Sequence, residues 1–299
     1  MARRKLLFRG TGTALVTPFK KDGSVDEVVL RELVDRQIKA GVEALVPVGS
    51  TGEGATLTEA EQAQVIEMVV EQTHGRVPVI AGASSNSTAK AVALAEEAKR
   101  RGADAILSVA PFYNKPTQEG LYQHFSTIAD AVEMPIVIYN VPGRTASNIE
   151  ARTTLRLAKD VSYIAGVKEA SGNLSQIMEI LHHRPGGFGV WSGDDNLTLP
   201  LVALGADGII SVVSNEVPGE FSRMVRLALK GKLGDAREMH FRLLHLMNAN
   251  FVESNPIPVK AAMAMMGLLE ESCRLPLTNL GEEARPKLVK ALKELKLIR

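Results

Sequence analysis

The chain of 299 residues predicts an α/β protein, a closed (β/α)8 (TIM) barrel carrying a C-terminal helical appendix. Three observations point there. Eight short β-branched runs alternate with longer stretches whose apolar residues recur with a period near 3.6. Each run is almost continuously apolar, the mark of parallel strands buried on both faces. Helical patterning then continues after the eighth run, so the barrel takes residues 1–230 and the helical region 231–299.

The strands are expected at Gly12–Thr17, Ala44–Val48, Val77–Ala81, Ala105–Val109, Pro135–Asn140, Tyr163–Lys168, Phe188–Ser192 and Gly208–Val213. Between the first two, Leu30, Leu33, Val34 and Ile38 share one helical face. Thr58 and Glu61 form a capping-box pattern ahead of Val65, Ile66, Val69 and Val70. The third helical pattern runs through Ala91, Val92, Ala95 and Ala98 and stops at Gly102; the fourth follows Leu121, Phe125, Ile128 and Val132. Beyond the eighth strand, helices are expected over Phe221–Leu229, Leu233–Asn248, Pro256–Leu269 and Leu280–Leu295. An open doubly wound sheet competes with the barrel, but its dinucleotide fingerprint needs a Gly-rich turn that opens a helix. Gly10-Thr11-Gly12 leads into the apolar run Ala14–Val16 instead.

A formal net charge of +1, with no basic run, argues against nucleic acid or an anionic membrane as the main partner. Aromatic residues at 4% leave little for a base-stacking surface. Cys273 is the sole cysteine, which excludes an intrachain disulfide and a thiolate zinc site within one chain. The opening MARRKLLFRG lacks the apolar core of a secretory signal, and no window reaches membrane-spanning length. A cytoplasmic location is the simplest expectation.

In such a barrel the chemistry lies where the strands end. Lys168 ends the sixth strand, in YIAGVKEASG (Tyr163–Gly172). A lysine buried there is costly as a cation, and the neutral amine that desolvation favours is a nucleophile toward carbonyls. The competing reading is a lysine that reaches water or pairs with Glu169. Tyr139, on the adjacent strand, is either a barrel-filling aromatic or a proton carrier in a relay with Ser50 or Thr51. Arg144, in Pro142-Gly143-Arg144-Thr145, is a carboxylate clamp or a solvated loop residue. Asp194 and Asp195 read as helix-capping residues. The six histidines read as structural or surface groups: His240 and His245 are five apart, and His182 and His183 are adjacent. The Gly49–Gly54 loop resembles an anion nest without the Lys-Ser/Thr ending of a phosphate loop. Neither a metal nor a cofactor is expected.

GSTGE (Gly49–Glu53), YNVPGRT (Tyr139–Thr145), GVKEASG (Gly166–Gly172), SGDD (Ser192–Asp195) and NPIPVK (Asn255–Lys260) together resemble the dihydrodipicolinate synthase (4-hydroxy-tetrahydrodipicolinate synthase) family of pyruvate-dependent aldolases. The resemblance covers almost the whole chain. It implies that pyruvate forms a covalent imine with Lys168, becomes an enamine and attacks aspartate semialdehyde, in the pathway to diaminopimelate and lysine. It implies that Tyr139 relays protons through Ser50 to Tyr113, the latter reaching in from a neighbouring subunit. Thr51 would hold the pyruvate carboxylate, Arg144 the semialdehyde, and the backbone at Gly193 and Ile210 would line the pocket. A homotetramer, built as a dimer of dimers, is the implied assembly.

Two departures stand out. Ser50 replaces the family's usual threonine, a form that sialic acid lyases also carry. The positions matching the lysine-inhibition pocket are Glu59, Gln62, Asn86, Lys90 and Phe112, and Lys90 places a cation where the inhibitor's α-amino group needs an anion. Insensitivity to lysine is therefore expected. Two alternatives remain: a retro-aldolase acting on a 2-keto-3-deoxy sugar acid, N-acetylneuraminate or 4-hydroxy-2-oxoglutarate, and a non-catalytic barrel used as a binding protein.

Overall fold

Strand β1 (Gly10–Ala14) is followed by α1 (Glu27–Lys39), β2 (Ala44–Val46), α2 (Glu59–Thr73), β3 (Ile80–Gly82), α3 (Thr88–Arg100), β4 (Ala105–Val109), α4 (Gln118–Val132) and β5 (Ile136–Asn140). A one-turn helix α5 (Pro142–Thr145) and α6 (Ala151–Asp160) lead to β6 (Ile164–Glu169). Then come α7 (Leu174–His183), β7 (Gly189–Ser192), α8 (Thr198–Ala203), β8 (Gly208–Ser211) and α9 (Pro218–Leu229). The appendix contributes α10 (Leu233–Ala249), α11 (Ile257–Met265) and α12 (Arg285–Glu294). This computed structural model describes residues 6–299; residues 1–5, part of the opening stretch read above for a targeting signal, lie outside the described residues. None of the described helices is long and apolar enough to cross a membrane.

All strand pairs are parallel, in the order β2-β1-β8-β7-β6-β5-β4-β3. The ring closes between β2 and β3 through the bridge Leu45–Val79, where the Leu45 N–H donates to the Pro78 carbonyl at 3.0 Å. The result is the expected eight-stranded barrel. Helix α2 opens with the expected capping box between Thr58 and Glu61.

Alternate strand residues fill the lumen, among them Val46, Ile80, Leu107, Val137, Tyr139, Trp191 and Ile210. Trp191 dominates its lower layer and stacks on Phe8 with ring centroids 4.8 Å apart. Two glycines make room for it: a Cβ on Gly166 would lie 2.5 Å, and one on Gly189 2.1 Å, from the indole. Lys168 sits two residues further along β6, so the indole forms a floor on the amino-terminal side of the lysine. Outside the ring, Val202, Phe221 and Val225 share an apolar cluster with Leu243, Leu246, Leu288 and Leu292. Residues on both sides of position 230 thus pack together.

Several boundaries differ from expectation. β1 starts at Gly10, because the Gly10 N–H already joins β8 through the Asp207 carbonyl, and it stops before Thr17. Past its end, the Val16 N–H donates to Asn215 Oδ1 (3.2 Å) instead of to a neighbouring strand. β8 ends at Ser211 and turns into a short 3₁₀ segment over Val213–Asn215. α12 begins at Arg285 and not at Leu280. The N–H groups of Leu280 and Gly281 are taken by Glu271 and Glu253, and a proline occupies the first helical turn, where it is tolerated. α11 ends at Met265, ahead of Gly267 at φ +74°.

Candidate active site

Register places Tyr139 of β5 directly beside Lys168 of β6, on the face that points into the lumen. Lys168 is 4% exposed and Tyr139 7% exposed. The lysine Nζ lies 4.3 Å from the centroid of the phenol ring. Burial pulls the Lys168 ammonium down to about 8 from its ordinary 10.5. The carboxylates of Asp194 and Asp195 hold it partly up, and the Arg144 guanidinium pushes it further down. Burial moves Tyr139 the other way, up to about 12. Arg144 and a hydrogen bond with Ser50 partly offset that rise. The pair therefore rests as an amine that gives up its proton readily beside a phenol that keeps its own.

The side chain of Glu169, the alternative partner of Lys168, projects to the opposite side of the strand. Its carboxylate accepts from Asn140 Nδ2, the Ser171 N–H and Gln176 Nε2. Gly193 follows β7, and a Cβ there would meet Ala170 Cβ at 2.6 Å and Lys168 Cε at 3.1 Å, so glycine leaves room for both. Asp194 stands at the start of a 3₁₀ turn over Asp195–Leu197, but its side chain makes no capping bond. Contrary to the capping expectation, its charge acts on Lys168. Asp195 does cap, though a different segment: it accepts from Ser211 Oγ (2.6 Å) and the Val213 N–H (2.9 Å). Ile210 packs into the lumen with Tyr139 and Trp191.

The loop after β2 is held in an unusual backbone path. Val48 has φ +58° and Glu53 φ +53°, and a β-branched residue in that region is rare enough to mark strain. Gly54 and Gly82 crowd the Val48 carbonyl; a Cβ on either would lie within 2.4 Å of it. This path carries Ser50 to the barrel mouth, while Thr51 is 2% exposed. The Thr51 hydroxyl accepts from Asn255 Nδ2 at 2.9 Å. The Asn255 carbonyl in turn accepts from Arg144 Nη2 at 3.1 Å.

A cavity of about 320 Å³ opens at this end of the barrel, lined by Gly49, Ser50, Tyr139 and Arg144 and, on its far wall, by Phe112 and Gln62. Lys168 and Thr51 do not form part of its surface; both are buried. Tyr113 is not gathered here. It is 89% exposed, with φ +72°. Among the positions that the resemblance matches to a lysine-inhibition pocket, Lys90 Nζ lies 3.2 Å from a Glu59 carboxylate oxygen, and both are exposed. Gln62 Nε2 donates to the Gly54 carbonyl, and the Asn86 carbonyl accepts from Asn114 Nδ2. The histidines lie elsewhere. His124 is buried with its pKa pushed down to about 4 by desolvation, and His182, His183 and His245 are on the surface.

Sequence reasoning gave no role to Asn255, Lys260 or Glu53, although two of its motifs contain them. Lys260 and Glu53 form an ion pair at 2.6 Å in which both side chains are wholly buried. A lysine four residues into a proline-rich helix start carries no local signal of burial; its partner is 207 positions away.

The chain matches the dihydrodipicolinate synthetase family over residues 7–295. It is 57% identical over 287 residues to a 4-hydroxy-tetrahydrodipicolinate synthase of Koribacter versatilis, with 96% of this chain and 95% of the relative covered. A solved dihydrodipicolinate synthase superposes with a TM-score of 0.95 at 50% identity, covering 97% of this chain and all of that one. Another, from Acinetobacter baumannii and solved in complex with pyruvate, gives 0.95 at 44% identity, covering 97% of this chain and 99% of that one. With the barrel, the buried lysine and the phenol beside it, these matches establish that the chain belongs to the dihydrodipicolinate synthetase family.

Proposed function

We propose that the chain is a 4-hydroxy-tetrahydrodipicolinate synthase, a lyase of aldolase-type mechanism, that condenses pyruvate with aspartate semialdehyde through an imine on Lys168. The observation that carries the reading is the buried amine of lowered pKa in contact with the Tyr139 ring. The neutral amine adds to the keto carbon of pyruvate, and Tyr139, which holds its proton at neutral pH, donates to the departing hydroxyl. Water leaves and the imine forms. Loss of a methyl proton gives the enamine, whose carbon attacks the semialdehyde aldehyde. The semialdehyde amine then displaces Lys168 from the imine carbon, which closes the ring and frees the lysine.

Ser50, hydrogen-bonded to Tyr139, is the next member of the proton relay. Tyr113 completes it in a neighbouring subunit: a tyrosine 89% exposed on a strained backbone has little to do within its own chain. Thr51 takes the pyruvate carboxylate and Arg144 the semialdehyde carboxylate. Gly193, beside the Lys168 stem, and Ile210, in the lumen, bound the keto acid, although neither lines the cavity of about 320 Å³. A homotetramer in the cytoplasm fits this reading, and the exposed Leu174 and Met178, one turn apart on α7, suit a second contact between dimers. No resident cofactor is required, since the imine is the electron sink.

Lysine is not an inhibitor in this reading. The carboxylate of Glu59 is already paired with Lys90, and Phe112 has no hydroxyl to offer a ligand. Borohydride reduction in the presence of pyruvate, followed by peptide mapping, tests the central assignment. An adduct on Lys168 is expected; an adduct elsewhere, or none, contradicts it. Faster cleavage of a 2-keto-3-deoxy sugar acid, N-acetylneuraminate or 4-hydroxy-2-oxoglutarate than condensation with aspartate semialdehyde would overturn the substrate assignment.

A further inference from the structure

One residue of the C-terminal region touches both side chains assigned to the substrates' carboxylates. Asn255, 5% exposed, donates through Nδ2 to Thr51 Oγ1 at 2.9 Å and accepts at its backbone carbonyl from Arg144 Nη2 at 3.1 Å. We propose that Asn255 is a positioning residue for keto-acid binding: its side-chain amide turns the Thr51 hydroxyl into a fixed donor toward the carboxylate of the bound keto acid. The inference rests on the reading of Thr51 as the residue that holds that carboxylate.

The direction of the hydrogen bond decides what Thr51 can do. A hydroxyl has one proton to give and lone pairs to accept with. Left free, it rotates and can present either to a ligand. With an amide N–H occupying its acceptor side, the proton is left for another partner. Among the described residues, Thr51 Oγ1 makes no other hydrogen bond. A carboxylate accepts and cannot donate, so a hydroxyl held as a donor is matched to it. The opposite orientation of the Asn255 amide would bury its N–H groups without a partner, which folded proteins tolerate less well than an under-satisfied carbonyl oxygen. The oxygen is the atom left over here: Asn255 Oδ1 is buried without a hydrogen-bond partner.

The same segment is anchored independently of the Asn255 side chain. Lys260 Nζ donates to Glu53 Oε1 at 2.6 Å and to the Thr17 carbonyl at 3.0 Å, and Glu53 Oε2 accepts from the Arg274 N–H at 2.9 Å. Glu53 is two residues beyond Thr51. The loop and the start of α11 therefore stay tied when the Asn255 amide is removed, and what changes is the freedom of one hydroxyl.

The test compares Asn255→Ala, Asn255→Asp, Thr51→Val and the double variant Asn255→Ala/Thr51→Val in the assembled enzyme, by steady-state kinetics and by pyruvate-dependent borohydride trapping. Asn255→Ala is expected to raise the pyruvate KM about tenfold, the loss of one hydrogen bond to a charged group, while the semialdehyde KM and kcat move much less. Asn255→Asp is expected to be worse than the alanine variant, because its carboxylate captures the Thr51 proton. Adding Asn255→Ala to Thr51→Val is expected to change nothing further, since the residue acts through that hydroxyl. Two results overturn the inference: an unchanged pyruvate KM in Asn255→Ala while Thr51→Val raises it, or effects that multiply in the double variant. An unchanged pyruvate KM in Thr51→Val removes the underlying reading of Thr51 instead, and the two failures appear in different variants. If Asn255→Ala does not fold, Asn255→Ser removes the same amide with a smaller change in volume and is read against the same two outcomes.

Discussion

Lys168 Nζ lies 4.3 Å from the centre of the Tyr139 ring, and burial shifts the two groups' pKa values in opposite directions, to about 8 and about 12. At pH 7 an amine with a pKa of about 8 is about one-tenth neutral, far above an ordinary lysine. The rate of borohydride trapping with saturating pyruvate should therefore rise with pH and level off above about 8. Asp194→Asn removes a charge that holds the ammonium up, so the rise should move to lower pH. A profile that climbs toward the pKa of a solvated lysine would contradict the desolvation account.

Tyr139→Phe keeps the ring against the ammonium and deletes only the proton that the phenol carries. Turnover should fall by about 10²–10⁴-fold, the usual worth of a positioned general acid. The melting temperature should change little, since the ring still fills the lumen. Near-normal kcat in that variant would take the phenol out of the chemistry.

Removing the buried amine should stabilise the fold. The folded-state pKa of Lys168 is depressed, so below about 8 the folded protein carries a penalised cation that the unfolded chain does not. Between about 8 and 10.5 the unfolded chain binds more protons, and stability rises with pH. The full span corresponds to roughly 3 kcal/mol as an upper bound. Lys168→Met should unfold at higher denaturant than the parent at pH 7, with the gap closing by pH 10. Urea titrations at the two pH values, followed by Trp191 fluorescence, provide the check.

The Lys260–Glu53 pair should be costly to break from one side. Lys260→Met leaves a buried carboxylate without its cation, a loss of roughly 3–5 kcal/mol. The double variant Lys260→Met/Glu53→Gln should recover a good part of that loss, because the uncompensated charge is gone. Chemical denaturation of the three proteins separates this from a surface pair, for which all three would be alike.

Free lysine at millimolar concentration should leave turnover unchanged, given the Lys90–Glu59 contact and the missing hydroxyl at Phe112. Half-maximal inhibition in the sub-millimolar range would contradict this.

The barrel was legible because it is written in local pattern: eight apolar runs of strand length, separated by helical periods, need no knowledge of distant partners. The closeness of Lys168 and Tyr139 was legible for the same reason, since each is the last residue but one of its strand and the two strands are neighbours. What was hidden depends on separation along the chain. Nothing near Asn255 announces Thr51, 204 positions earlier, and nothing near Lys260 announces Glu53. The capping role expected of Asp194 failed because its backbone position suits a cap while its carboxylate makes no capping bond and acts on the lysine of the neighbouring strand only through its charge. The strand ends shifted where side chains, such as that of Asn215, replaced ladder partners.

The tie between Lys260 and Glu53 joins the first fifth of the polypeptide to its last, and Asn255 adds a second stitch across the same seam. A ribosome that has translated all eight strands has still not delivered the amide that sets Thr51 or the cation that Glu53 requires. Both stitches between the second-strand loop and the C-terminal region are thus closed only as synthesis nears completion.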